Sequence, residues 1–198
     1  MNTNIENTEV LFDYLVVVNP DVLVTKDILR IRQFIGREIG EEGMVNAAVQ
    51  IPLFRSVFPE RFQDAFMGVL EDVARQQAGF AVYTSRIDSL VHEDGRSSIF
   101  INVANPKPMM DLQRQLLKGF EMAPQDYRPH ILVAGRVQHP ALAGFLPQIS
   151  QQMFVRSFNC HCFSLLKRPA AGGKYERVRD FVFGDIEHMV GSLFNYAA

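Results

Sequence analysis

Tyr127-Arg128-Pro129-His130-Ile131-Leu132-Val133-Ala134-Gly135-Arg136 is the stretch on which the reading of the fold turns. A proline at its entry, a run of aliphatic and β-branched residues and a closing glycine predict a short β-strand. Side chains alternate along a strand, so His130, Leu132, Ala134 and Arg136 share one face and Ile131, Val133 and Val137 the other. The second face reads as core. The first sets an imidazole and a guanidinium on an otherwise apolar surface, which suits a site. The alternatives stay open: His130 as a core histidine bonded to a backbone carbonyl, Arg136 as a strand-end ion pair.

Working outward, Asp13–Val18 predicts a first strand buried on both faces and closed by Asn19-Pro20. Apolar residues at helical spacing follow (Ile28, Ile31, Phe34, Ile35, Ile39). A second strand is expected over Met44–Phe54, then a helix opened by Pro59 with a Phe62, Phe66, Val69, Leu70, Val73 stripe. Phe80–Val91 and Ser97–Val103 read as a hairpin around Asp94-Gly95. Asn105-Pro106 opens a helix with Met110, Leu116, Leu117 and Phe120 inward, and His139-Pro140 opens another. Val155–Lys167 and Tyr175–Phe183 predict a last strand pair around Gly172-Gly173. Residues 1–12 are expected as a loose leader, 13–184 as one domain of two related lobes, and 185–198 as a helical tail that packs on the domain or mediates self-association.

The chain of 198 residues is 47% hydrophobic with a formal net charge of −2. That suits one domain with a sizeable core and gives no whole-chain basic footprint for long nucleic acid. No run approaches the roughly 18 apolar residues of a membrane helix, and the polar, acidic start is no secretory signal. Cys160 and Cys162 flank His161 on an expected strand, both pointing one way. Reduced, partly buried thiols and a cytoplasmic setting are expected, with no metal and no cofactor.

Pro129-His130, the alternating aliphatics and the closing Arg136 resemble the second signature strand of the 2H phosphoesterase superfamily, which includes the 2'-5' RNA ligase-like proteins and cyclic phosphodiesterases. The order β-α-β-α-β-β, then α-β-α-β-β, resembles that fold from Asp13 to Gly184. The resemblance implies an α+β fold of two lobes, antiparallel sheets with helices outside and a central cleft. It also implies a His-x-Thr/Ser signature on one strand of each lobe. One imidazole would take a proton and the other give one, with the hydroxyls holding phosphate oxygens. Set against that signature, Asn46 stands for the first His and Ala48 for its Thr, with Gln50-Ile51-Pro52-Leu53-Phe54 as the strand's exit. In the second lobe His130 is kept and Leu132 replaces the Thr.

These losses imply a divergent member without the two-histidine chemistry, binding a small nucleotide- or phosphate-ester-like ligand through Asn46, Gln50, His130 and Arg136. Two alternatives are an active 2',3'-cyclic or 2'-5' phosphodiesterase using His130 with substitute residues, and a protein-interaction scaffold. Among possible substitutes, His161 has its nearest hydroxyl on the wrong face, His92 falls in the hairpin loop, and His139 and His188 sit at a turn and in the tail. Tyr14, Tyr83 and Tyr127 are candidates for stacking a base, or packing residues. Arg128, Arg136 or Arg168 lining the cleft would favour an anion; a cleft filled by Leu132 and phenylalanines would favour the scaffold.

Overall fold

The computed structural model describes residues 9–39, 48–138, 144, 146–150 and 152–184. In order they form β1 (Leu11–Val18), α1 (Val22–Ile39), β2 (Ile51–Pro59), a 3-10 turn (Glu60–Phe62), α2 (Gln63–Gln76), β3 (Phe80–Val91), β4 (Arg96–Val103), α3 (Pro106–Gly119), β5 (His130–Gln138), α4 (Leu146–Ile149), β6 (Ser157–Cys160), β7 (Cys162–Pro169) and β8 (Glu176–Val182). Among the described residues the strands make two four-stranded antiparallel sheets, ordered β2-β1-β7-β8 and β5-β4-β3-β6. This is the α+β, two-lobed architecture expected from the sequence.

Local chemistry explains the elements. Asp13 to Val18 are all buried because β1 lies between β2 and β7. The Asp21 carboxylate accepts the Val24 N–H at 2.8 Å, capping α1. Pro106 opens α3, whose buried side is Met109, Leu112, Gln113, Leu116 and Leu117. Gly95 turns the β3–β4 hairpin at φ +74°, where a side chain would be strained. Helix α1 packs against β5 and α3 against β2, so each helix reaches the other sheet's edge strand and both sheets share one core.

The face of β1 opposite this core carries an ionic brace. Asp13 is 1% exposed. It accepts hydrogen bonds from Arg55 (Nε 2.8 Å, Nη2 2.7 Å), Arg168 (Nε 2.9 Å) and the Tyr175 hydroxyl (2.7 Å). The Arg55 bonds, with those of Tyr175 and Arg168, outweigh burial and lower the Asp13 pKa to about 2. The cluster ties β1 to β2, to β7 and to the segment leading into β8.

Several sequence expectations need correction. The strand expected over Val155–Lys167 is two strands: β6 pairs with β3 in one sheet, and β7 with β1 and β8 in the other. The chain changes sheets at His161. Cys160 and Cys162 therefore end up in different sheets instead of on one strand face; Cys160 is buried and Cys162 half-buried, both as free thiols. Leu11 and Phe12 belong to β1 and not to a leader. β2 begins at Ile51, well after Met44; residues 48–50 are outside any strand, and 40–47 lie outside the described residues. Phe34 and Phe62 are 50% and 48% exposed, while the inward position on α1 is taken by Arg32. The helix expected from His139 is described only from Leu146 to Ile149, and the tail from 185 lies outside the described residues.

Candidate functional site

The two sheets repeat one detail of hydrogen-bond register. In the first, Val18 pairs with Ile51, Val17 with Pro52, and then Val16 with Phe54, so Leu53 is an extra residue on β2. In the second, Ile101 pairs with Ile131, Phe100 with Leu132, and then Ile99 with Ala134, so Val133 is the extra residue on β5. The bulge falls at the same step in both. One step the other way, Asn102 pairs with His130, and the corresponding residues of the first sheet are Asn19 and Gln50. The counterpart of His130 is therefore Gln50, and the counterpart of Leu132 is Pro52. This moves the correspondence four residues along from Asn46 and Ala48. The same bulge turns Ala134, 1% exposed, to the core side, off the face it was expected to share with His130.

His130 is half-buried at the start of β5, with its ring centroid 5.2 Å from that of Phe100. Its Nδ1 lies 2.8 Å from the Arg128 carbonyl oxygen. A carbonyl only accepts, so Nδ1 carries a hydrogen, which leaves Nε2 an acceptor in the neutral ring and a donor in the imidazolium. Asn102, 8% exposed, donates from Nδ2 to Asp88 Oδ2 at 3.2 Å and accepts from Arg128 Nη2 at 3.2 Å. Asp88 lies 3.8 Å from Arg86 Nη2 and 3.9 Å from Arg128 Nη2. Strand register sets Asp88, Phe100, Asn102, His130 and Leu132 on one face of the second sheet.

The first sheet presents different chemistry. Exposed Asn19 donates from Nδ2 to Ser164 Oγ at 2.9 Å, and Ser164 donates to Asp180 Oδ1 at 2.8 Å. Gln50 is half-buried and Pro52 exposed. Two contacts hold the strand starts together. The Tyr127 hydroxyl donates to the Pro52 carbonyl at 2.9 Å. Arg32, 1% exposed, donates from Nη2 to the carbonyls of Leu132 (2.6 Å) and Ala48 (3.3 Å).

Of the residues expected at the site, His130 and Gln50 occupy corresponding positions in the two lobes. Asn46 lies outside the described residues, Ala48 is exposed ahead of β2, and Arg136 is in β5 with its side chain outside the description. Arg168 is committed to Asp13 and does not line a site for an anion. Tyr14 is buried and stacked on Phe58 at 4.1 Å, which is packing; Tyr83 is 49% exposed. His92 bonds Ser98 through Nε2 at 2.7 Å. No group of three metal-ligating side chains occurs among the described residues. Asn102, Asp88 and Arg86 are not among the site residues expected from the sequence. The one available signal was that Asn102 breaks an apolar strand, Ser97–Val103.

Comparison with known proteins adds to this geometry. A family model of the 2'-5' RNA ligase superfamily matches residues 47–172. The chain belongs to that superfamily. The match opens at residue 47, so it takes in Gln50 and leaves out Asn46. As a 2'-5' RNA ligase superfamily member it shares its fold with TT0787 of Thermus thermophilus at 16% identity and TM-score 0.65, covering 87% of this chain and 98% of that one. Apo E. coli LigT is similar at 11% identity and TM-score 0.63, and LigT complexed with 3'-AMP at 14% and 0.60, each over 88% of this chain and 98% of theirs. No curated protein sequence matches the chain. Among the described residues no helix is long and apolar enough to cross a membrane.

Proposed function

We propose that this member of the superfamily binds a small nucleotide or phosphate ester between its two lobes and has lost the paired-histidine hydrolysis. The observation that carries the reading is the matching register of β2 and β5, which sets Gln50 against His130 and Pro52 against Leu132. An amide neither gives nor takes a proton near neutral pH, so one imidazole is left where the paired mechanism uses two. Neither Pro52 nor Leu132 has a side-chain donor for a phosphate oxygen, a loss worth roughly 10²–10³ in rate where such a donor acts.

The residues that remain suit binding. His130 favours a phosphate when its imidazolium form donates from Nε2, while Asn19 and Gln50 are amides able to pair with a base edge or a sugar hydroxyl. E. coli LigT complexed with 3'-AMP supports a nucleotide as the ligand class. Calorimetry with 3'-AMP tests the reading. The parent is expected to bind, and His130→Ala to bind about tenfold more weakly, the cost of one charge-assisted hydrogen bond. No binding by the parent would refute it.

A further inference from the structure

Beside His130 the structure holds a groove of about 310 Å³. Its lining includes Ser85, Arg86, Asn102, Pro106, Arg128 and Pro129. We infer that this groove is a second anion site, taking a phosphate other than the one that faces His130, so that the ligand is a nucleotide carrying two separated phosphates.

Charge and hydrogen-bond supply carry the inference. The side chains of Arg86 and Arg128 are 63% and 70% exposed, and one carboxylate, Asp88, lies between them. Two guanidiniums against one carboxylate leave the trio net positive, and separations of 3.8 Å and 3.9 Å are beyond hydrogen bonding, so both forks keep N–H donors for a ligand. Buried Asn102 binds both Asp88 and Arg128, fixing the carboxylate against the sheet and the Arg128 guanidinium above it. Arg128 is further set near the Phe100 ring, with Cζ 6.0 Å from its centroid. Such bonds reduce the freedom an arginine loses when it meets an anion. Pro106 on the rim is the first residue of α3, whose positive end faces this region. Pro106 and Pro108 have no N–H to offer, so Lys107 alone of the first three residues of α3 keeps one.

Position sets the ligand class. Asn102 in the groove is the cross-strand partner of His130, and directly paired residues have Cβ atoms roughly 5 Å apart. A phosphate at His130 and one between Arg86 and Arg128 therefore fall within the span of one nucleotide. A 3',5'-bisphosphate supplies both. This ligand assignment rests on the nucleotide reading above, whereas the groove's affinity for an anion does not.

The test is calorimetry with 3'-AMP, adenosine 3',5'-bisphosphate and inorganic phosphate on the parent, Arg86→Gln, Arg128→Gln and His130→Ala. Both arginines are exposed, so their variants are expected to fold, which circular dichroism checks. The parent is expected to bind the bisphosphate about tenfold more tightly than 3'-AMP, as one added charge-assisted contact gives. Each Arg variant should lose that preference and keep its 3'-AMP affinity, while His130→Ala weakens both nucleotides. Equal affinities in the parent, or a preference that survives both Arg substitutions, overturns the inference. If neither nucleotide binds the parent, the nucleotide reading falls and inorganic phosphate decides the groove. Binding that Arg86→Gln abolishes and His130→Ala spares upholds an anion site, and no phosphate binding overturns it.

Discussion

Asp13→Asn removes one negative charge from the middle of the first sheet while keeping the side chain's size. In the parent that carboxylate is 1% exposed and receives donors from Arg55, Arg168 and Tyr175. Its pKa falls from 3.8 to about 2, chiefly through Arg55. Linkage converts this fall to about 2.5 kcal/mol of stability at neutral pH. Arg55 is 59% exposed, and solvent screening there brings the expected loss on substitution to about 2 kcal/mol. The sign follows from a depressed folded-state pKa. The contribution is complete above the unfolded value near 4, about half gone by pH 3, and lost below about 2. Urea unfolding of parent and variant between pH 7 and pH 3 measures it. The parent should be the more stable at pH 7, with the gap closing by about half at pH 3. A variant as stable as the parent at pH 7, or a gap that does not shrink with acid, would refute the reasoning.

Two further predictions concern the cleft. Arg32→Met should cost about 2–4 kcal/mol in urea unfolding, because the carbonyls of Leu132 and Ala48 lose a buried donor; the loss should be accompanied by weaker 3'-AMP binding, since Arg32 holds the starts of both strands. Gln50→His combined with Pro52→Thr and Leu132→Thr should give measurable hydrolysis of a nucleoside 2',3'-cyclic phosphate where the parent gives none. The same three changes built at 46, 48 and 132 should not.

The sequence carried the two-lobed architecture because that rests on local signals: helical stripes, the Asp94-Gly95 turn, and prolines at helix starts. His130 was legible for the same reason, as a polar residue on an apolar strand. The register of the first lobe was not. Asn46 and Gln50 are four residues apart, so strand alternation puts both on the same face and cannot choose between them. Only pairing with β1 does. The bulge at Val133 moved Ala134 to the core side, and nothing in an all-aliphatic run marks where an extra residue will fall. The break at His161 is likewise set by partners, β3 on one side and β1 on the other. Asp13 looked like an ordinary strand start because its partners lie 42, 155 and 162 residues away. Arg32 could have been found: it stands four residues after Ile28 and three before Ile35, on the buried stripe of α1.

One imidazole, with an amide at the matching position of the other lobe, is expected to bind and not to hydrolyse. The most direct measurement is product formation from a nucleoside 2',3'-cyclic phosphate by the parent and by His130→Ala, with binding followed in parallel. Binding by the parent, weaker binding by the variant and no product from either are expected. Product that forms with the parent and disappears with His130→Ala would contradict it and make His130 the acid or base of a working phosphodiesterase.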